Sequence, residues 1–146
     1  MSEHIKEILV PVDGSDNSIR AVKFAAEMAA AMNIGIRLFY VFPAASVEII
    51  GMAGMSRADI DQAAQASAQR AFDKTREGLG GELPDNMEEE TSVGDPAEEI
   101  IRYTEDDHTV LVIIGRRGLS RMKSLMLGSV SDKVIRHAQS PVMVIT

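Results

Sequence analysis

The apolar positions of this chain fall into short continuous runs separated by longer stretches of helical spacing. Ile8-Leu9-Val10-Pro11-Val12 is the first run, and an uninterrupted apolar pentad is the pattern of a strand covered on both faces. Pro11 has no amide proton to give to a ladder, which places it near the strand's end. Asp13-Gly14-Ser15 turns the chain, with Ser15 or Asn17 as a cap. The helix that follows, predicted over 18–32, puts Ala21, Val22, Ala25, Met28, Ala29 and Met32 on one face, and Asn33-Ile34-Gly35 stops it. The same reasoning predicts strands over 36–42, 87–93, 110–114 and 141–145, and helices over 58–79, 96–105 and 130–138. Gly80, Gly81 and Pro84 close the second of these four helices, Pro96 takes a first-turn position in the third, and Asp95 reads as its cap.

Strands that alternate with helices build parallel βαβ units joined by right-handed crossovers. The expected fold class is α/β: a three-layer, open, twisted, parallel five-stranded sheet with helices on both faces. Nothing in the pattern marks a linker, a repeat or a low-complexity segment, so residues 1–146 are expected to form a single domain.

Composition narrows the classes of function. With 45% hydrophobic and 25% charged residues, the chain has the balance of a soluble globular protein. No apolar run approaches the ~18 residues of a membrane helix, so membrane insertion is not expected. The first residues run straight into a strand without a signal-peptide layout, which makes the cytoplasm the expected location. A net charge of −7 argues against bulk binding of nucleic acid. There are no cysteines, and His4, His108 and His137 lack ligand spacing and read as surface or edge residues.

One stretch stands out against this acidic background. Gly115, Gly118 and Gly128 punctuate a segment that begins where the apolar run Val110–Ile114 ends and leads into the last helix. Between Gly115 and Ser131 lie four basic residues, Arg116, Arg117, Arg121 and Lys123, and no acidic one. A strand, a glycine-interrupted basic loop and a helix start in that order make a site for an anion such as a phosphate. Glycine lets a ligand approach amide groups closely, the first helical turn has amides without intrahelical partners, and Ser129 and Ser131 offer hydroxyls that can bind phosphate or help place a metal ion. The alternative is that the glycines make turns and the cations form a solvated face.

In an open α/β sheet, ligands bind beyond the carboxyl ends of the strands, where the strand order reverses. That selects Pro11-Val12-Asp13, Val41-Phe42, Gly94-Asp95 and Gly115 onward. Asp13 suits a ribose or base edge, or equally an Asx turn. Val41 is a core residue on its own and an adenine-packing one beside a nucleotide. Neither Gly-x4-Gly-Lys-Ser/Thr nor Gly-x-Gly-x-x-Gly after a strand occurs, which disfavours P-loop NTPases and dinucleotide dehydrogenases.

The chain resembles the universal stress proteins, specifically their ATP-binding branch. The resemblance is carried by Ile8-Leu-Val-Pro-Val-Asp-Gly-Ser15, by Gly94-Asp-Pro-Ala97, by Ser140-Pro-Val-Met-Val-Ile145, and by Gly115, Gly118, Gly128 and Ser129, which fit the family's Gly-x2-Gly-x9-Gly-(Ser/Thr). It implies an adenine nucleotide alpha hydrolase-like fold. It implies that Pro11, Val12, Asp13 and Val41 hold adenine and ribose, and that Gly115, Arg117 and Gly118 form the loop over the phosphates. Gly128, Ser129, Val130 and Ser131 then meet the phosphates of ATP (or ADP or AMP), often with Mg²⁺ or Mn²⁺ held through the phosphates, Ser129 being the candidate protein contact. Members commonly dimerise by pairing their last strands, here through Val142 and Val144, which agrees with an open edge that needs cover, an internal buried strand being the alternative.

Two features depart from the family's common pattern. Val47–Met55 is apolar, glycine-punctuated and methionine-rich. It is expected to form a first turn of the long helix packed on the core, the alternatives being a mobile cover over the nucleotide or a partner surface. Asp106-Asp107-His108-Thr109 stands where members often have Ala-Asp, away from the site.

The functional expectation is an ATP-binding regulatory or stress-response protein with slow or no hydrolysis and an unidentified protein partner, because no catalytic residue is evident beside the glycine string. An ATPase or adenylyl transferase is the alternative, but the His-x-Gly-His and Ser-Gly-Gly-x-Asp-Ser loops of such transferases are absent. A protein-binding module that has lost its ligand is a third possibility, disfavoured by the intact glycines.

Overall fold

The computed structural model describes residues 4–117 and 127–146. The strands β1 (Glu7–Pro11), β2 (Gly35–Pro43), β3 (Met87–Gly94), β4 (Val110–Gly115) and β5 (Val142–Ile145) form one parallel sheet in the order β3-β2-β1-β4-β5. Five helices accompany them: α1 (Asp16–Met32), α2 (Ala44–Met52), α3 (Arg57–Gly78), α4 (Pro96–Asp106) and α5 (Ser129–His137).

The continuous apolar runs are explained by two cores, one on each face of the sheet. Ile8, Val10, Ile36, Leu38, Leu111 and Ile113 pack against α1 and α3 through Ala21, Val22, Ala25, Ala68 and Phe72. Leu9, Phe39, Val41, Val110, Val112 and Ile114 pack on the other side against Ala97 and Ile100 of α4 and Val134 of α5. Side chains alternate along a strand, so a strand covered on both faces needs apolar residues at every position.

Local chemistry sets the helix ends. Ser15 caps α1 by accepting from Ser18 N at 3.2 Å, and Asn33 closes it in the left-handed region with φ 56°. Asp95 caps α4 by accepting from Glu98 N at 3.0 Å, ahead of Pro96 in the first turn. On the apolar face of α1, Ala21, Val22, Ala25 and Ala29 are buried, but Met32 is 40% exposed because the helix ends there in the turn at Asn33.

The expectation for Val47–Met55 is corrected. This region forms a helix of its own, α2, followed by Gly54 at φ +78°, and α3 starts afresh with a Ser56–Asp59 capping box. It is therefore not a first turn of α3. It is not packed on the core either, since Ile49, Met52 and Met55 are 68%, 88% and 54% exposed. His4, His108 and His137 are all exposed.

The acidic start of β3 has a structural reason. Arg37 of β2 lies beside Glu88 in the strand register and bonds Glu7 of β1 and Glu88 and Glu90 of β3 at 3.1–3.5 Å. Tyr103 of α4 donates its hydroxyl to Glu7 at 2.9 Å. The hydrogen bond to Glu7 makes Arg37 hold its proton more tightly than usual, and burial followed by the same carboxylate pushes the Tyr103 phenol well up. This cluster ties three strands and a helix together toward the amino end of the sheet.

Candidate functional site

The connection of β1 passes to β2 on one side of the sheet, while β4 flanks β1 on the other, so the strand order reverses between β1 and β4. At the carboxyl ends of these strands lies a cavity of about 490 Å³, within the range of small-molecule sites.

The end of β1 supplies one wall. Pro11 ends the strand, and Val12 N still donates to Phe39 O at 2.9 Å, so the chain stays beside β2 for one more residue. Asp13 then makes an Asx turn, its Oδ1 accepting from Ser15 N at 2.9 Å, while Gly14 takes φ +83°. Pro11, Val12 and Asp13 all line the cavity, as do Ser15 and Ser18 from the start of α1. Both readings of Asp13 are thus compatible: the turn fixes its carboxylate on the cavity wall.

The end of β4 and the start of α5 supply the second wall, from Gly115, Arg117, Gly128, Ser129, Val130 and Ser131. Two hydrogen bonds hold this wall together. Gly128 N donates to Arg116 O at 2.9 Å, and the buried Ser131 hydroxyl donates to Gly115 O at 2.8 Å. The Ser131 proton is therefore engaged with the backbone, and this residue positions α5 rather than offering a hydroxyl donor to a ligand. Gly115 is required by space, since a Cβ there would stand 2.8 Å from the backbone oxygen of Asn17 in α1. A Cβ on Gly128 would lie 3.3 Å from Arg116 O and from Arg117 Cα. The N-cap of α5, Gly128, has no side chain to cap it, and helix geometry gives the first turn amides without intrahelical partners. Gly118, Arg121 and Lys123 lie outside the described residues.

Between these walls the lining is apolar. Val41, only 8% exposed, joins Pro43 of β2, Pro96 and Ile100 of α4, and Ile114 of β4. Flat or branched apolar groups beside a hydrogen-bonding wall suit a planar ring with an anionic tail.

A third wall escaped the sequence reading. Ser67, Arg70, Ala71 and Lys74 of α3 line the cavity together with Tyr40 of β2. The signal was their spacing, which puts 67, 70, 71 and 74 on one helix face beside the buried Ala64, Ala68 and Phe72. Recognising that face needs the knowledge that α3 packs over β2. Burial pushes the Tyr40 phenol up and the Asp13 charge adds to this, while a hydrogen bond with Ser67 and the nearby Arg70 act against it. Among the described residues, no group of His, Cys, Asp or Glu is arranged to hold a metal ion, and no helix is long and apolar enough to cross a membrane.

Similarity to known proteins points the same way as the geometry. The model of the universal stress protein family matches residues 4–146. The universal stress protein MJ0531 of Methanocaldococcus jannaschii is 28% identical over 96% of this chain and 81% of its own length. Among solved structures, the universal stress protein UspA from Lactobacillus plantarum superposes with a TM-score of 0.76 at 24% identity, covering 99% of this chain and all of that one. A universal stress protein crystallised in complex with cAMP is 25% identical, with a TM-score of 0.63 and coverage of 97% of both chains. The sheet order, the cavity at its reversal point and a match across nearly the whole length agree: this chain belongs to the universal stress protein family.

Proposed function

We propose that this protein holds an adenine nucleotide, ATP or its di- or monophosphate, in the cavity at the carboxyl end of the sheet. We propose further that it acts as a cytoplasmic regulatory or stress-response module with slow or no hydrolysis. The observation that carries the reading is the convergence of the Pro11–Asp13 turn, Val41 and the Gly128–Ser131 helix start on one cavity. In this reading the base lies against Pro11 and Val41, the ribose is met by Asp13, and the phosphates lie on Gly115, Arg117, Gly118 and the first turn of α5. The cAMP complex of a family member supports an adenine ligand. Mg²⁺ or Mn²⁺ would be held chiefly by phosphate oxygens, with the Ser129 hydroxyl as the protein's contribution.

Slow turnover is supported by what lines the space. Asp13 is the carboxylate among the described lining residues, and it sits in the turn after β1 rather than at the start of α5. Hydrolysis needs a group that orients water in line with the transferring phosphoryl. A homodimer through β5 is part of the proposal. β5 is an edge strand paired with β4, its four residues are apolar and half-buried, and a second copy would cover its open side.

Mass spectrometry of the ligand released from freshly purified protein, with a multiple-turnover ATPase assay, tests the reading. A released adenine nucleotide and turnover far below the ~1 s⁻¹ of ordinary enzymes are expected. Turnover at or above that rate would favour an enzyme instead.

A further inference from the structure

The α3 wall has no part in the nucleotide grip described above, yet its chemistry points to a ligand. Arg70 and Lys74 line the cavity, and neither forms an ion pair with a carboxylate among the described residues. Lys6, Arg20, Lys23 and Arg57 likewise form no ion pair among the described residues, but none of them lines the cavity. The next cation of the same helix, Arg76, is neutralised by Asp73 and by Glu89 of β3.

Each of the two cavity cations has a neighbour along the wall. Arg70 Nη2 donates to Ser67 Oγ at 3.0 Å, which steadies the guanidinium beside Tyr40. Lys74 crosses the β1–α1 turn, its Cδ 3.2 Å from where a Cβ on Gly14 would stand. The Gly14 turn therefore gives the lysine stem its path along the wall. The one nearby carboxylate in the lining, Asp13, offsets part of this charge and leaves a positive excess. A guanidinium fork and an ammonium on a concave surface match phosphate oxygens, and a cleft wall concentrates their field.

We infer that Arg70 and Lys74 make α3 a second anion-reading wall of the cleft, so that the preferred ligand carries a phosphoryl group beyond those met by the α5 wall. The inference rests on the nucleotide reading above. The added phosphoryl can be the terminal one of a nucleoside triphosphate whose first phosphates lie on the α5 wall, or a phosphate on the ribose 3′ oxygen.

Calorimetric titration with AMP, ATP and adenosine 3′,5′-bisphosphate separates these sources. The proteins compared are the wild type, an Arg70→Gln/Lys74→Gln double variant, and Lys23→Gln, an exposed α1 position outside the cavity. Both α3 side chains are exposed, so the double variant should fold. Lys74→Gln alone, with about half the effect on a logarithmic scale, serves if it does not. The wild type is expected to prefer at least one two-phosphoryl ligand over AMP by about tenfold. The double variant should lose that preference while its affinity for AMP stays within about twofold, and Lys23→Gln should match the wild type. A loss confined to ATP assigns the second group to the polyphosphate tail, and a loss confined to the bisphosphate assigns it to the ribose. No preference in the wild type, or an unchanged preference in the double variant, overturns the inference and leaves nucleotide binding intact. Failure of the wild type to bind any of the three overturns both.

Discussion

The two ends of the sheet handle positive charge in opposite ways. Toward the amino end, Arg37 is met by Glu7, Glu88 and Glu90, with Tyr103 completing the cluster through Glu7. At the carboxyl end, Arg70 and Lys74 face a cavity with no carboxylate bonded to either among the described residues. A cation whose hydrogen bonds are filled by the protein holds strands in register. One left open on a concave wall has its electrostatic interaction still to make. The same contrast runs through the hydroxyls. Ser131 is buried and bonded to Gly115 O, whereas Ser129, two residues earlier, is exposed on the cavity wall. Saturated groups build the site, and unsaturated ones are what it offers to a ligand.

Three substitutions probe how the two ends differ. The largest effect is expected from Gly115→Ala, which forces a methyl against the Asn17 carbonyl oxygen at 2.8 Å where β4 meets α1. Chemical denaturation should show about 1–3 kcal/mol of lost stability, with nucleotide affinity falling as the wall shifts. Full stability in this variant would mean that the close approach at the foot of the glycine string is not a packing constraint. Arg37→Met comes next. It leaves three glutamates facing one another at a half-buried point, and a loss of about 1–2 kcal/mol is expected after allowance for solvent screening. Nucleotide affinity should stay within about twofold; a larger change would dissolve the separation between the two ends. The smallest effect is expected from Ser129→Ala. Its side chain is on the cavity wall with no capping bond, so the melting temperature should not move, while affinity for ATP falls by several-fold, on the order of 1 kcal/mol. A variant that melts early but binds normally would reverse the roles given to Ser129 and Ser131.

Much of this was legible in the sequence because local patterns carried it. Unbroken apolar runs marked β1, β4 and β5, and Ser15, Asn33, Asp95 and Pro96 marked helix ends through caps and turns that act within a few residues. The glycine string announced the α5 wall, since a strand, loop and helix start are contiguous in the chain. The α3 wall was not legible, because Ser67, Arg70 and Lys74 look like any solvated helix face until α3 is laid over β2. The Val47–Met55 segment misled for a related reason. Its apolar composition suggested burial, but Gly54 and the Ser56–Asp59 capping box break it from α3, and Ile49, Met52 and Met55 face outward. Likewise the acidic run at β3 was visible, but its answer, Arg37, is distant in sequence and adjacent only through strand register.

On this account the carboxyl end of the sheet is a nucleotide site. Isothermal titration of nucleotide-free protein with MgATP tests it most directly. The expected result is saturable binding at one site per chain that adenosine monophosphate competes away. A folded protein that gives no saturable heat with MgATP, and no rise in melting temperature in its presence, would contradict it.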